Sequence, residues 1–250
     1  VRPLPADLTS ALRTVAALPR LLVTSDFDGT LAPIVNHPAD ARPLPHAADA
    51  LHALAEQPGI TVALISGRGL TDLAALSGMS ETVQLVGSHG AEFAHGFAHE
   101  IDEGLLATIT AELTAIADRH PGVTVEPKRA SVALHVRNAS PEDGEAALAA
   151  AVAAGKSWNA ESTAGKAVLE FAVITTDKGE AIDILREGAD ADAVVYFGDD
   201  VTDEKAFRRL RDSDVAVKVG PGETLATHRV ETPEDVAAAL EFLVQLRRGD

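Results

Sequence analysis

The chain of 250 residues contains no cysteine, one methionine, one tryptophan and one tyrosine. Without cysteine there can be no disulfide, no thiolate nucleophile and no cysteine-type zinc site; this fits a cytoplasmic protein. Aromatic residues make up only 4% while apolar residues reach 46%, so aliphatic side chains must fill the core. No apolar run approaches the ~18 residues of a membrane span. The first residues, Val1-Arg-Pro-Leu-Pro-Ala-Asp7, have no hydrophobic signal core, so the expectation is an intracellular chain without a membrane partner. Basic residues are scarce too: 21 Lys and Arg stand against 38 Asp and Glu, a net charge of −17. That balance argues against nucleic acid and anionic membrane surfaces. It leaves room for an anionic small molecule held by a few local cations.

A chain of this length can hold one large α/β domain or a core with a smaller insert. Leu8, Leu12, Val15 and Leu18 repeat at helical spacing, and Pro19 closes that helix. Short continuous apolar runs follow at 21–25, 60–66, 83–86, 193–197 and 215–219. Unbroken rather than alternating, they read as parallel strands covered on both faces. Helical patterns at 47–56, 70–77, 179–186 and 201–211 lie between them, giving a doubly wound, Rossmann-like parallel sheet. Thr232-Pro233-Glu234-Asp235 opens a last helix that runs to about Arg247.

The middle breaks this alternation. Helix 103–119, strands 123–128 and 131–136, helix 141–154 and strand 167–173 predict an antiparallel sheet with helices on one face. Ser140 and Pro141 start the second of these helices and Gly155 ends it. The expected organisation is a core made of 1–91 and 177–250, with an α+β domain at 92–176 inserted into it.

Chemistry concentrates where the apolar runs end. Asp26 and Asp28 follow the first run, one residue apart, with Gly29 and Thr30 behind them. Two carboxylates at the end of a buried strand are costly unless a cation or a reaction employs them; a helix-capping Asp is the plain alternative. Carboxylates can ligate Mg²⁺ and can accept a phosphoryl group. Ser66-Gly67-Arg68 ends the second run with a hydroxyl, a flexible turn and a cation, suited to a phosphoryl oxygen or to a simple turn. Lys178 lies at the first turn of a helix, where the dipole disfavours a cation unless an anion is near. Gly198-Asp199-Asp200-Val-Thr-Asp203-Glu204 is a second acidic cluster, read either as helix caps or as the other half of an oxygen-ligand Mg²⁺ site. His89 and Glu92 sit in a Gly-rich turn where the insert begins. Gly155-Lys156-Ser157 is no P-loop, since position 150 is Ala. His95 and His99 have no third ligand nearby and make no zinc site.

Asp26-x-Asp28-Gly29-Thr30, Ser66, Lys178 and Gly198-Asp199-Asp200 stand in the order of the four motifs of the haloacid-dehalogenase-like phosphatases. The chain resembles that superfamily, with the spacing of a C2-type cap. More narrowly, Asp26-Phe-Asp-Gly-Thr-Leu-Ala-Pro33-Ile34, Ile65-Ser-Gly-Arg68, Gly87-Ser-His89-Gly-Ala-Glu92 and Gly198-Asp-Asp-Val-Thr-Asp203-Glu204 are similar to signatures of the trehalose-6-phosphate phosphatases. The resemblance implies Asp26 as nucleophile and Asp28 as general acid and base. It implies Mg²⁺ on Asp26, the Asp28 carbonyl and Asp199, and Thr30, Ser66 and Lys178 around the phosphoryl oxygens. Asp200 and Asp203 would support that site from behind. Arg68, His89, Glu92, Lys128, His135, Arg137 and Glu170 would hold the sugar, with Gly165-Lys166 alongside. Pro127, Val136 and Ala172 depart from the family pattern in this region. A small-molecule sugar phosphate is the expected partner, with functional pairing to a trehalose-phosphate synthase. Rival substrates within the superfamily are sucrose phosphate, glucosylglycerol phosphate and mannosyl-phosphoglycerate. A non-catalytic regulatory relic is the rival of a different class.

Overall fold

The computed structural model describes residues 3–165 and 167–249; Lys166 therefore lies outside the described residues. Helix α1 (Ala6–Ala16) buries Leu8, Leu12 and Val15, and β1 (Leu21–Ser25) is buried at every position. There follow α2 (Pro45–Ala55), β2 (Ile60–Ile65), α3 (Leu70–Ser77) and β3 (Val83–Val86). Two-residue strands β4 (Glu92–Phe93) and β5 (Gly96–Phe97) lead to α4 (Glu103–Ala117), β6 (Thr124–Pro127), β7 (Ser131–His135), α5 (Pro141–Gly155), β8 (Glu161–Gly165) and β9 (Val168–Ala172). The chain finishes with α6 (Lys178–Ala189), β10 (Ala193–Gly198), α7 (Asp203–Arg209), β11 (Val215–Val219), β12 (His228–Val230) and α8 (Pro233–Arg248). Thr232 caps α8 in a reciprocal capping box with Asp235, as the Thr-Pro-Glu-Asp pattern predicts.

Two compact units result, one reaching to Gly96 and resuming at Asp177, the other spanning Phe97–Thr176. The first unit keeps Glu92, because its carboxylate accepts the Leu70 amide at 2.9 Å and the Ser88 hydroxyl at 3.2 Å. The change of unit therefore falls after Gly96 and not at Glu92.

In the first unit six parallel strands lie in the order β12-β11-β10-β1-β2-β3. Helices α1, α2 and α8 pack as one group and α6 with α7 as another, flanking the sheet. The register aligns Ser25 with both Leu64 and Phe197, so the three central strands end together. Asp26, Ser66 and Asp199 thus emerge side by side at one edge, where open α/β sheets carry their ligands. The sixth strand, β12, is a short edge strand of His, Arg and Val, and its polar sequence gives no apolar run to read.

The second unit is an antiparallel sheet in the order β6-β7-β9-β8. One face carries Val132, Leu134, Leu169 and Phe171, buried with Ile109, Leu113, Ile116, Ala147 and Ala151 from the two helices. Trp158 sits edge-on to Phe171 with ring centroids 4.9 Å apart. Because side chains alternate along a strand, Glu126, Ser131, His135 and Glu170 share the opposite face, an assignment the pairing of Ala133 with both Glu126 and Glu170 supports. Gly155 is the last residue of α5 rather than the residue beyond it. A Cβ there would stand 2.5 Å from the Phe171 ring, so packing, not a left-handed turn, requires the glycine.

Candidate active site

Asp26 is the first residue past β1, and its amide donates to the Phe197 carbonyl at 2.8 Å, prolonging the sheet pairing. Its carboxylate is buried and accepts from Lys178 Nζ at 2.9 Å. Lys178 opens α6, capped by the Asp177 side chain, and its ammonium also donates to Asp203 Oδ1 at 2.7 Å. Lys178 is 2% exposed and Asp203 0%. The cation at a helix N-terminus is thereby accounted for: two carboxylates outweigh the unfavourable dipole. Burial alone would lower the lysine's pKa, but Asp26 and Asp203 hold it above its ordinary value.

Asp26, Asp199 and Asp203 each bring a carboxylate oxygen within 4.8 Å of the others. Their roles nevertheless differ. Asp203 Oδ1 takes Lys178 Nζ and the Tyr196 hydroxyl at 2.6 Å, while Oδ2 takes the amides of Asp199 and Asp200, both at 2.9 Å. An ionised carboxylate offers about four lone-pair sites, so Asp203 is saturated and serves to fix its neighbours. Asp26 and Asp199 are left to face a cation. Asp199 accepts one hydrogen bond from Thr30 Oγ1 at 3.2 Å, and Gly29 lets it approach, since a Cβ there would lie 2.1 Å from Asp199 Oδ2. Burial and then the nearby carboxylates push Asp26 and Asp199 up, with Lys178 pulling Asp26 back. This crowding of hard oxygen donors around one ammonium fits Mg²⁺, which is commonly held by one or two carboxylates and keeps positions for water and phosphate. Asp200 stands apart: it is exposed, and its side chain accepts from the Val201 amide at 2.6 Å.

Asp28 takes a different partner from Asp26. Arg68 grips both its oxygens, Nε to Oδ2 and Nη2 to Oδ1, each at 2.7 Å. The same guanidinium donates to Asp72 Oδ2 at 2.9 Å and to the Pro38 carbonyl at 2.8 Å. Arg68, expected at a sugar, is thus engaged within the first unit. Ser66 is buried, and its Oγ accepts the Arg68 amide at 3.2 Å, leaving the hydroxyl hydrogen to donate. His89 has φ 54° and follows Ser88 at φ 51°, a left-handed pair uncommon outside glycine. The turn brings the imidazole over Gly67, where a Cβ would meet Cε1 at 2.4 Å. Glu92 spends its carboxylate on the Leu70 amide at the start of α3 and on Ser88.

In the second unit the open sheet face carries three of the residues expected there, Lys128, His135 and Glu170. Lys128 Nζ donates to Glu170 Oε2 at 3.0 Å, and Ser131 donates to Glu170 Oε1 at 2.6 Å. His135 Nε2 lies 2.8 Å from Glu126 Oε2. Arg129 stands over the Phe97 ring, 5.1 Å from its centroid. Arg137 lies exposed in the turn after β7, outside these contacts.

Two residues of the first unit went unread in the sequence. Tyr196, the chain's one tyrosine, lies in the apolar run of β10, where a polar tip needs a partner; that partner is Asp203. Lys218 interrupts Val215-Ala-Val-Lys-Val219 and is buried, a charged residue in an otherwise apolar strand.

A model of the trehalose-phosphatase family matches residues 24–235. The chain is 38% identical over 256 residues to a trehalose-phosphate phosphatase of Mycobacterium marinum (strain ATCC BAA-535 / M), covering 93% of this chain and 65% of the relative. It is 36% identical over 267 residues to an uncharacterised glycosyl hydrolase of Mycobacterium tuberculosis (strain ATCC 25618 / H37Rv), covering 96% of this chain but 20% of that protein. The chain thus spans under two thirds of these curated relatives. Among solved structures, the C-terminal domain of trehalose-6-phosphate phosphatase from C. albicans superposes with a TM-score of 0.77 at 25% identity, covering 98% of this chain and 99% of that one.

Proposed function

We propose a phosphomonoesterase: the chain belongs to the trehalose-phosphatase family, and the carboxylates and lysine of its first unit suit phosphoryl transfer to a carboxylate. The substrate we infer is trehalose 6-phosphate, the reaction its hydrolysis to trehalose and phosphate. The observation that carries the reading is the buried Asp26–Lys178–Asp203 pairing beside Asp199. Such a cluster is expensive to bury and is more than a fold of this kind needs for stability.

Asp26 attacks phosphorus in line, the bond to the sugar oxygen breaks, and an aspartyl-phosphate forms on Asp26. Asp28, released by Arg68 on at least one oxygen and carrying a proton there, gives that proton to the departing sugar oxygen. It then takes one from the water that attacks the aspartyl-phosphate, releasing phosphate and restoring Asp26. Lys178 is read as a cation and Ser66 as a hydroxyl donor for the phosphoryl oxygens; Thr30 joins them only by giving up its hydrogen bond to Asp199. Asp26, Asp199 and the Asp28 carbonyl would hold Mg²⁺, with Asp203 fixing the geometry. When bound, the cation supplies positive charge against carboxylate–phosphate repulsion and against charge developing in the transition state. The inserted unit is read as the specificity domain, with Lys128, His135, Arg137 and Glu170 offered to sugar hydroxyls. The same reading implies a cytoplasmic setting, where sugar phosphates are made, and a synthase that supplies the substrate.

Phosphate release from trehalose 6-phosphate, sucrose 6-phosphate and glucose 6-phosphate in the presence of Mg²⁺, with Asp26→Asn as blank, tests the proposal. A preference for trehalose 6-phosphate that vanishes in the variant is the expected result. Equal rates on the three esters would keep the phosphatase and overturn the substrate; no turnover on any would overturn the activity.

A further inference from the structure

Strand β11 is buried throughout, and four of its five residues are apolar; the fifth is Lys218. Removing an ammonium from water costs several kcal/mol even after local relaxation, and a leucine or methionine would fill the position without that cost. Lys218 Nζ donates to two main-chain carbonyls, Asp199 O at 2.6 Å and Val219 O at 2.7 Å. The register pairs Lys218 with Gly198, so the ammonium reaches the first residue beyond the neighbouring strand. That residue is Asp199, one of the two carboxylates left to face a cation.

Asp199 is held at three points. Its amide donates to Asp203 Oδ2 at 2.9 Å, its carboxylate accepts from Thr30, and its carbonyl accepts from Lys218. The grip on the carbonyl matters because the surroundings do not close around the segment. A cavity of about 320 Å³ lies against it, lined by Gly29, Asp199, Lys218, Gly220 and Glu231 among others. With that space alongside, packing alone does not hold the Asp199–Asp200 peptide: its N–H is tied to Asp203 Oδ2 at 2.9 Å, and its carbonyl side is left to Lys218. The far wall is itself braced, since Arg229 donates to the Gly220 carbonyl and to the Gly222 carbonyl at 2.6 Å.

We propose that Lys218 is a positioning residue that fixes the Asp199 peptide, and so aims its carboxylate, for divalent-cation binding. The inference rests on the reading above that the cation sits between Asp26 and Asp199. It asks the lysine to act through its N–H donors, not through its charge, which by itself would oppose a cation nearby.

The test compares wild type, Lys218→Met and Lys218→Gln by isothermal titration calorimetry with Mg²⁺ alone, after thermal melts have shown each variant folded. Methionine keeps the length and removes the donor; glutamine keeps an N–H donor and removes the charge. Outer-shell partners of metal ligands typically contribute about 10- to 100-fold in affinity. The expected result is a loss of that size in Lys218→Met with partial recovery in Lys218→Gln. Mg²⁺ binding in Lys218→Met as tight as in wild type, or tighter, would overturn the proposal. So would a Lys218→Gln variant no better than Lys218→Met. Should the methionine variant not fold, wild type against Lys218→Gln decides: binding more than about 100-fold weaker means that charge, and not the donor, was needed. A wild type that takes up no Mg²⁺ at all overturns the reading beneath, and this one with it.

Discussion

In the first unit the polar groups that matter are buried and shared; in the second they are exposed and paired. Lys178 and Asp203 are 2% and 0% exposed, and Asp203 alone accepts four hydrogen bonds. Lys128 and Glu170 are 41% and 29% exposed, and His135 and Glu126 39% and 55%. Under the proposed function the difference is one of purpose. Phosphoryl transfer needs charges fixed in place before the substrate arrives, which demands burial and full hydrogen bonding. Recognition of a sugar needs donors and acceptors that can give up water and one another, which demands exposure. The two units should therefore answer mutation in opposite ways.

The largest effect is expected at Lys178. Lys178→Ala leaves Asp26 and Asp203 buried without their shared cation, and breaking a buried pair from one side costs about 3–5 kcal/mol. Denaturant unfolding of the variant checks this, and phosphate release should fall below detection in the same protein. A loss under about 1 kcal/mol, the range of exposed pairs, would erase the contrast between the units.

Next comes Arg68. Arg68→Ala frees an Asp28 whose side chain is 37% exposed, so water can replace much of what is lost and stability should fall by only about 1 kcal/mol. Turnover should suffer far more, because small misplacement of a catalytic group can cost about 100-fold. The discriminating measurement is kcat beside KM: a fall in kcat with little change in KM marks Arg68 as holding Asp28. A rise in KM alone would return it to the sugar, where the sequence reading had put it.

Burial decides which parts of this molecule are legible in its sequence. β1, β3, β11 and α3 have the bounds that their sequence patterns predict: β1 and β11 are buried at every position, β3 is buried at Val83 and Val86, and α3 buries Leu73 and Leu76. β8 was invisible because all five of its residues are exposed and none is strongly apolar; it exists through pairing with β9. At the site, the acidic and basic residues could be found because charge at the end of an apolar run is conspicuous. Their partners could not. Nothing local says that Arg68 reaches Asp28 across forty positions of sequence, or that Asp203 rather than Asp200 turns inward. Lys218 is legible as well: a lysine inside Val-Ala-Val-Lys-Val is as anomalous as an aspartate pair.

The smallest stability effect is expected in the inserted unit, where it is the most informative about substrate. Lys128→Ala removes an exposed ion pair with Glu170, worth about 0–1 kcal/mol, and Ser131 still donates to that carboxylate. The melting curve should hardly move. If this face binds the sugar, KM for trehalose 6-phosphate should rise about 10- to 150-fold, as losing a charged hydrogen bond of about 1.5–3 kcal/mol would give, while kcat at saturation stays near wild type. Glucose 6-phosphate serves as the internal control, because it lacks the second ring and its hydroxyls. A rise in KM for the disaccharide ester but not for the monosaccharide ester assigns Lys128 to the second ring. Equal rises for both assign it to a general attraction for phosphate, which added salt would then weaken. No change for either removes the open sheet face from the site and leaves its ion pairs as ordinary surface.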